Sequence, residues 1–100
     1  MKNETEIKAR VFDRLITHFD QNKDIQNIDL MILAKFCRNC LSKWMVAEAH
    51  ELGETLSIDD AKRHVYKMDY EDWKSTYQKP ASPAQLEQIQ RTTSKNSITQ

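Results

Sequence analysis

The sequence predicts an all-α fold: a compact bundle of four to five helices around one long central helix over about residues 28–52. Three observations carry this prediction. Apolar residues recur at helical spacing along most of the chain. One Gly and two Pro among 100 residues leave too few turn formers for a many-stranded sheet. Ser82-Pro83-Ala84-Gln85 is a strong helix start, with a capping Ser, Pro at the first helical position and Gln at the third. A chain of this length makes one domain, expected over 1–90, with a polar tail over 91–100 that is expected to fray.

The first helix is expected from Glu4 to Asp20, where Ile7, Val11, Leu15 and Phe19 form an i, i+4 ladder widened by Phe12 and Ile16. Residues 20–27 are polar and read as a loop, with Asn27 the candidate N-cap of the next element. The central helix follows. Its apolar stripe collects Leu30, Leu33, Ala34, Cys37, Cys40, Leu41, Trp44 and Ala47, and Gly53 is placed to stop it in a left-handed conformation. Ser57 can cap a helix over about 58–67. Asp69 can cap a short one in which Tyr70, Trp73 and Tyr77 recur on one side, ended by Lys79-Pro80. The last helix starts after Ser82 and has only Leu86 and Ile89 as an apolar strip.

Composition excludes several function classes. One glycine cannot build a dinucleotide fingerprint or a phosphate-cradling loop. Fifteen basic and fifteen acidic side chains, spread evenly, remove the electrostatic case for binding nucleic acid or an anionic membrane. The longest apolar run, Leu30 to Ala34, is far too short to span a bilayer. The polar N-terminus carries no export signal, so a reducing cytoplasm is the expected location, where a structural disulfide is not expected. A core this small makes a homodimer the expected assembly.

Cys37-Arg38-Asn39-Cys40 is the one constellation that could carry chemistry. On a helix the two thiols lie on one face, one turn apart, where they could grip a metal or resolve one another as a redox pair. The sequence requires no cofactor. Zinc or another transition metal would need further ligands, for which His18 and His64 are candidates. His50 points the wrong way, about 15 Å further along the same helix. Placed mid-helix, the pair would gain nothing from the helix dipole. The plain alternative is that both cysteines are small buried hydrophobes. His50-Glu51-Leu52-Gly53-Glu54 lacks the second His of a zinc-protease helix, and no Ser-His-Asp spacing or glycine-flanked serine suggests a hydrolase. Tyr70, Trp73 and Tyr77 read as core, and Lys62-Arg63-His64, balanced by Asp59 and Asp60, as a solvated helix face.

The stretch Phe36-Cys37-Arg38-Asn39-Cys40-Leu41-Ser42-Lys43-Trp44 resembles the signature of a family of short bacterial proteins, domain-of-unknown-function family 1244. Gln26-Asn27-Ile28-Asp29-Leu30-Met31 and Tyr70-x-x-Trp73-Lys74-x-x-Tyr77-Gln78 add to it, so that the resemblance covers about residues 5–90. Met45 stands where the family often has Tyr, and Ser82-Pro83-Ala84-Gln85 where it often has Thr-Pro-Glu-Gln. The resemblance implies an all-helical cytoplasmic protein of bacteria and brings no activity. It also gives weight to a polar arc of Arg38, Asn39, Ser42 and Lys43 as a contact surface for a protein partner or a second copy. The expected function is therefore a non-enzymatic interaction or regulatory module, with a thiol-redox or metal-binding protein acting through Cys37 and Cys40 as the alternative.

Overall fold

A computed structural model describes the backbone of residues 1–95 and the side chains of residues 1–91. Six helices make up the fold and no strand occurs among the described residues: α1 (Glu4–Asp20), α2 (Asn27–Ala34), α3 (Arg38–Glu51), α4 (Ile58–Tyr66), α5 (Tyr70–Tyr77) and α6 (Pro83–Lys95). α6 takes in the first part of the polar tail, and the rest of that tail lies outside the described residues. No helix is long and apolar enough to cross a membrane, among the described residues.

The expected central helix is two helices. α2 closes at Lys35, whose left-handed backbone (φ 62°) turns its N–H onto the Met31 carbonyl. Cys37 is extended (φ −146°) and caps α3. The break removes a conflict in the apolar pattern. A continuous helix would have carried apolar residues on all sides, whereas after the break Met31 of α2 and Cys40 of α3 share one cluster and Leu41 of α3 joins the main core. No Gly or Pro marks the bend, so a left-handed Lys holds a place that glycine usually takes. The first residue of α2 is Asn27 itself, and the capping position belongs to Gln26.

The other ends follow local chemistry. α3 stops in a Schellman arrangement: Gly53 N–H bonds the His50 carbonyl (3.0 Å) and Glu54 N–H the Ala49 carbonyl (2.9 Å), with Gly53 at φ 79°. Ser57 Oγ accepts from Asp60 N–H (3.1 Å) at the start of α4. Ser82 and Gln85 form a reciprocal capping box, Gln85 N–H donating to Ser82 Oγ (3.1 Å) and Ser82 N–H to Gln85 Oε1 (2.8 Å).

α4 is the hub of the packing, in contact with α1, α3 and α5. Its Ala61, Val65 and Tyr66 are buried, Ala61 so fully that α3 approaches closely over it. The main core joins Ile16 and Phe19 of α1, Leu41 of α3, Val65 and Tyr66 of α4, and Trp73 of α5. Trp73 is core, as its spacing predicts, and lies tilted against Tyr66 and Tyr77; Tyr70 and Tyr77 are half-buried at the edge of that core. A satellite core of Met31, Cys37 and Cys40 sits where α2, the start of α3 and Ile89 of α6 meet. Only the C-terminal half of α1 is anchored in the core: residues 1–11 are exposed throughout, Ile7 and Val11 included. Leu33 and Trp44, which the single-helix stripe placed inside, are 84% and 54% exposed, because the bend turns that stripe away from one common face.

Two substitutions test the helix ends. Nothing lies within 4 Å of a Cβ built at Gly53, so Gly53→Ala costs only the left-handed backbone, about 1 kcal/mol. Lys35→Gly relieves a similar strain at the bend and is expected to gain about 0.5 kcal/mol. Urea unfolding followed by circular dichroism reads both, with opposite signs.

Candidate functional site

Arg38 is the most unusual residue of the fold. It is 1% exposed, at the first helical position of α3, and among the described residues no carboxylate forms an ion pair with it. Its charge is instead spread over neutral acceptors. Nη1 donates to the Ile25 carbonyl (2.8 Å) and to Asn27 Oδ1 (3.0 Å), and Nη2 to the Asn22 carbonyl (3.1 Å). The guanidinium carbon lies 5.0 Å from the ring centroids of both Phe19 and Trp73. Two aromatic faces and three oxygens thus replace the hydration shell that burial strips away. Burial pushes the guanidinium below its ordinary value of 12.5, opposed by negative charge that Tyr66, Cys37 and Asp24 would carry.

A chain of amides and hydroxyls extends from Arg38 to the surface. Asn27, which accepts from Arg38, donates through Nδ2 to the Tyr66 hydroxyl (3.0 Å). Tyr66 donates in turn to Asn39 Oδ1 (2.6 Å). Burial raises the Tyr66 pKa well above its ordinary 10.0, and the Asn27 hydrogen bond offsets only part of that. Buried Gln26 works alongside: Nε2 donates to the carbonyls of Tyr77 (3.0 Å) and Asp24 (3.2 Å), and Oε1 accepts from Lys79 N–H (2.8 Å). It thereby ties the end of α5 to the start of α2. Among the described residues no buried side-chain nitrogen or oxygen lacks a hydrogen-bond partner.

The expected polar contact surface is therefore mostly interior. Arg38 and Ser42 are buried, Ser42 donating back to the Arg38 carbonyl (3.3 Å), while Asn39 and Lys43 are half-buried. One continuous helix would turn Arg38 and Ser42 away from the apolar stripe; with the chain bent at Lys35, the side of α3 that bears them faces the interior. Asn39 faces an open cleft of about 800 Å³ between the start of α2 and α5, lined also by Asn27, Tyr70, Glu71, Lys74 and Lys79. Neither this cleft nor the roles of Gln26 and Asn27 had a signal in the sequence beyond a cluster of amides before α2.

The thiols also change position. Cys37 is the N-cap of α3 and Cys40 lies in its first turn, at the helix N-terminus rather than mid-helix. Both are buried thiols, 1% and 4% exposed. The Cys37 pKa is raised from its ordinary 9.0: burial raises it most, the backbone amides of Cys40 and Asn39 lower it, and the neighbouring Cys40 thiol raises it again. The candidate histidines lie elsewhere. His18 is exposed on α1 against Phe19, and exposed His64 on α4 stacks over Phe12 (6.1 Å). Among the described residues no three His, Cys, Asp or Glu side chains converge as metal ligands, so neither histidine completes a set with the two thiols. Lys62-Arg63-His64 is the solvated face its spacing predicts, with Arg63 bonded to Asp60 and Asp69 (2.7 Å each).

The family described as "Protein of unknown function (DUF1244)" matches residues 25–91, well over half of the chain. The chain belongs to this family. No curated protein matches it. The span shared with DUF1244 runs from α2 into α6 and leaves out α1. It contains the whole polar network around Arg38 apart from the Asn22 and Asp24 carbonyls, and both thiols.

Arg38→Met keeps most of the side-chain volume but strands the Ile25, Asn22 and Asn27 oxygens, and is expected to cost about 3 kcal/mol in urea unfolding. The raised Tyr66 and Cys37 pKa values set the alkaline limb. Both groups hold their protons more tightly folded than unfolded, so their stabilisation is complete below pH 9 and is lost as pH rises past the unfolded values of 9.0 and 10.0. Tyr66→Phe is expected to flatten the part of that decline above pH 10, read by unfolding free energies across pH 7 to 11.

Proposed function

We propose that the protein is a non-enzymatic interaction module that associates with a second copy of itself through the apolar corner where α2 meets α3. One observation carries this reading. Trp44 is 54% exposed and stacks on half-buried Phe36 (5.9 Å), with Leu33, three residues before Phe36, 84% exposed. A Trp presented this way is the residue type that dominates interface energies, and leaving it in water forfeits the gain of burying it.

The balance of apolar surface supports the same reading. Among the described residues ten hydrophobic side chains are buried, while eight large ones stay exposed. A domain this small gains proportionally more than a large one from covering such residues. Arg38 and Ser42, the polar side chains of α3 expected at a contact surface, are buried instead, so the exposed apolar groups are the contact surface this region offers. Two thiols and no disulfide accord with a cytoplasmic location.

Sedimentation velocity of the full chain over a micromolar concentration series is the test. A dimer that Trp44→Glu weakens about tenfold, with the circular dichroism spectrum unchanged, is the expected result. A monomer at every concentration overturns the proposal, and so does a dimer indifferent to Trp44→Glu.

A further inference from the structure

The two cysteines occupy the cap and the first turn of a 14-residue helix and share one buried cluster with Met31. The two thiols stand three residues apart across one helical turn, both inside that one buried cluster. We propose that Cys37 and Cys40 are a redox site, which a peroxide oxidises to an intrahelical disulfide across the first turn of α3. The inference is independent of self-association through Trp44.

Placement decides which sulfur attacks. Cys37 has the backbone amides of Cys40 and Asn39 and the neighbouring Arg38 guanidinium to favour its thiolate, and burial to oppose it. The burial comes in part from α6, which packs on α2 and sends Ile89 against the thiol cluster. One surface hydrogen bond, Gln85 Nε2 to Asp29 Oδ1 (2.7 Å), adds to its seat. When α6 lifts, water reaches Cys37 while the amides and Arg38 stay in place, so the force that raises its pKa fades and the forces that lower it remain. α6 thus sets the rate at which the pair reacts.

The step balances. The Cys37 thiolate attacks one peroxide oxygen, the O–O bond breaks, and water leaves after protonation, giving a sulfenic acid on Cys37. The Cys40 sulfur attacks that sulfur, the S–O bond breaks, and a second water leaves with the Cys40 proton. Two thiols and one hydrogen peroxide give one disulfide and two waters, the thiols losing two electrons. A dithiol reductant reverses the change by exchange.

Hydrogen peroxide added to the reduced full chain, followed by intact mass and thiol titration, tests the proposal. The expected product is a monomeric chain that has lost two hydrogens and both titratable thiols, restored by dithiothreitol. Ile89→Ala is expected to speed the reaction at least about fivefold by loosening α6. Asp29→Ala, which removes only a surface hydrogen bond, speeds it less and serves if Ile89→Ala does not fold. Cys40→Ser stops at a sulfenic acid on Cys37 that dimedone traps. Thiols that stay reduced, that pass to sulfinic or sulfonic acids, or that pair between chains overturn the proposal, as does a rate indifferent to both α6 variants.

Discussion

A buried guanidinium with no carboxylate beside it is costly, because stripping water from a charge takes several kcal/mol even after the surroundings relax. In this protein the cost is met by geometry. Arg38 lies between the rings of Phe19 and Trp73 and bonds the Ile25 and Asn22 carbonyls and Asn27. Those partners come from α1, the loop after it, the first residue of α2, and α5. The stretch from Phe19 to Asn27 and the remote Trp73 are thereby held around one side chain. The bend at Lys35 belongs to the same constraint. It starts α3 anew at Cys37, and so brings Arg38 inward at the first helical position, where its stem can reach the loop.

The same placement links structure to chemistry. Residues on either side of Arg38 share its fate: Cys37 and Cys40 are drawn into the satellite core, and Ser42 sits behind Arg38 with no exposure at all. The helix N-terminus that lowers the Cys37 pKa exists only because of the bend, and the burial that raises it depends on α6. Opposed influences thus act on one thiol, the backbone amides at the helix start against burial. On the far side of α3 the bend has the reverse effect, leaving Trp44 and Leu33 in solvent. A single turn of backbone therefore decides which groups of the motif are interior and which face solvent.

The sequence made the helix ends legible where local chemistry sets them. The ladder of α1, the glycine stop at Gly53 and the Ser82–Gln85 box are local signals, and each occurs in the structure at the expected residues. The bend at Lys35 was not legible. It has no Gly or Pro, and apolar periodicity runs through Ala34-Lys35-Phe36 without interruption, so 100° per residue carried across it sorted Arg38, Ser42, Leu33 and Trp44 onto the wrong faces. Nor does a sequence show that an arginine in a helix will find two aromatic rings and two loop carbonyls, since those partners lie 13 to 35 positions away. Asn27, Tyr66 and Asn39 likewise form a network only through the fold. The motif around Cys37 was recognisable. Its meaning, a buried anchor instead of a polar surface, required the tertiary contacts.

The central claim is that the Arg38 guanidinium is fixed inside the protein, and nitrogen-detected or proton-detected NMR of the arginine side chains tests it most directly. The account predicts one set of guanidinium protons resolved at neutral pH, protected from solvent exchange and shifted by the Phe19 and Trp73 ring currents, which Arg38→Lys abolishes. Averaged, rapidly exchanging resonances for every arginine, Arg38 included, would contradict it.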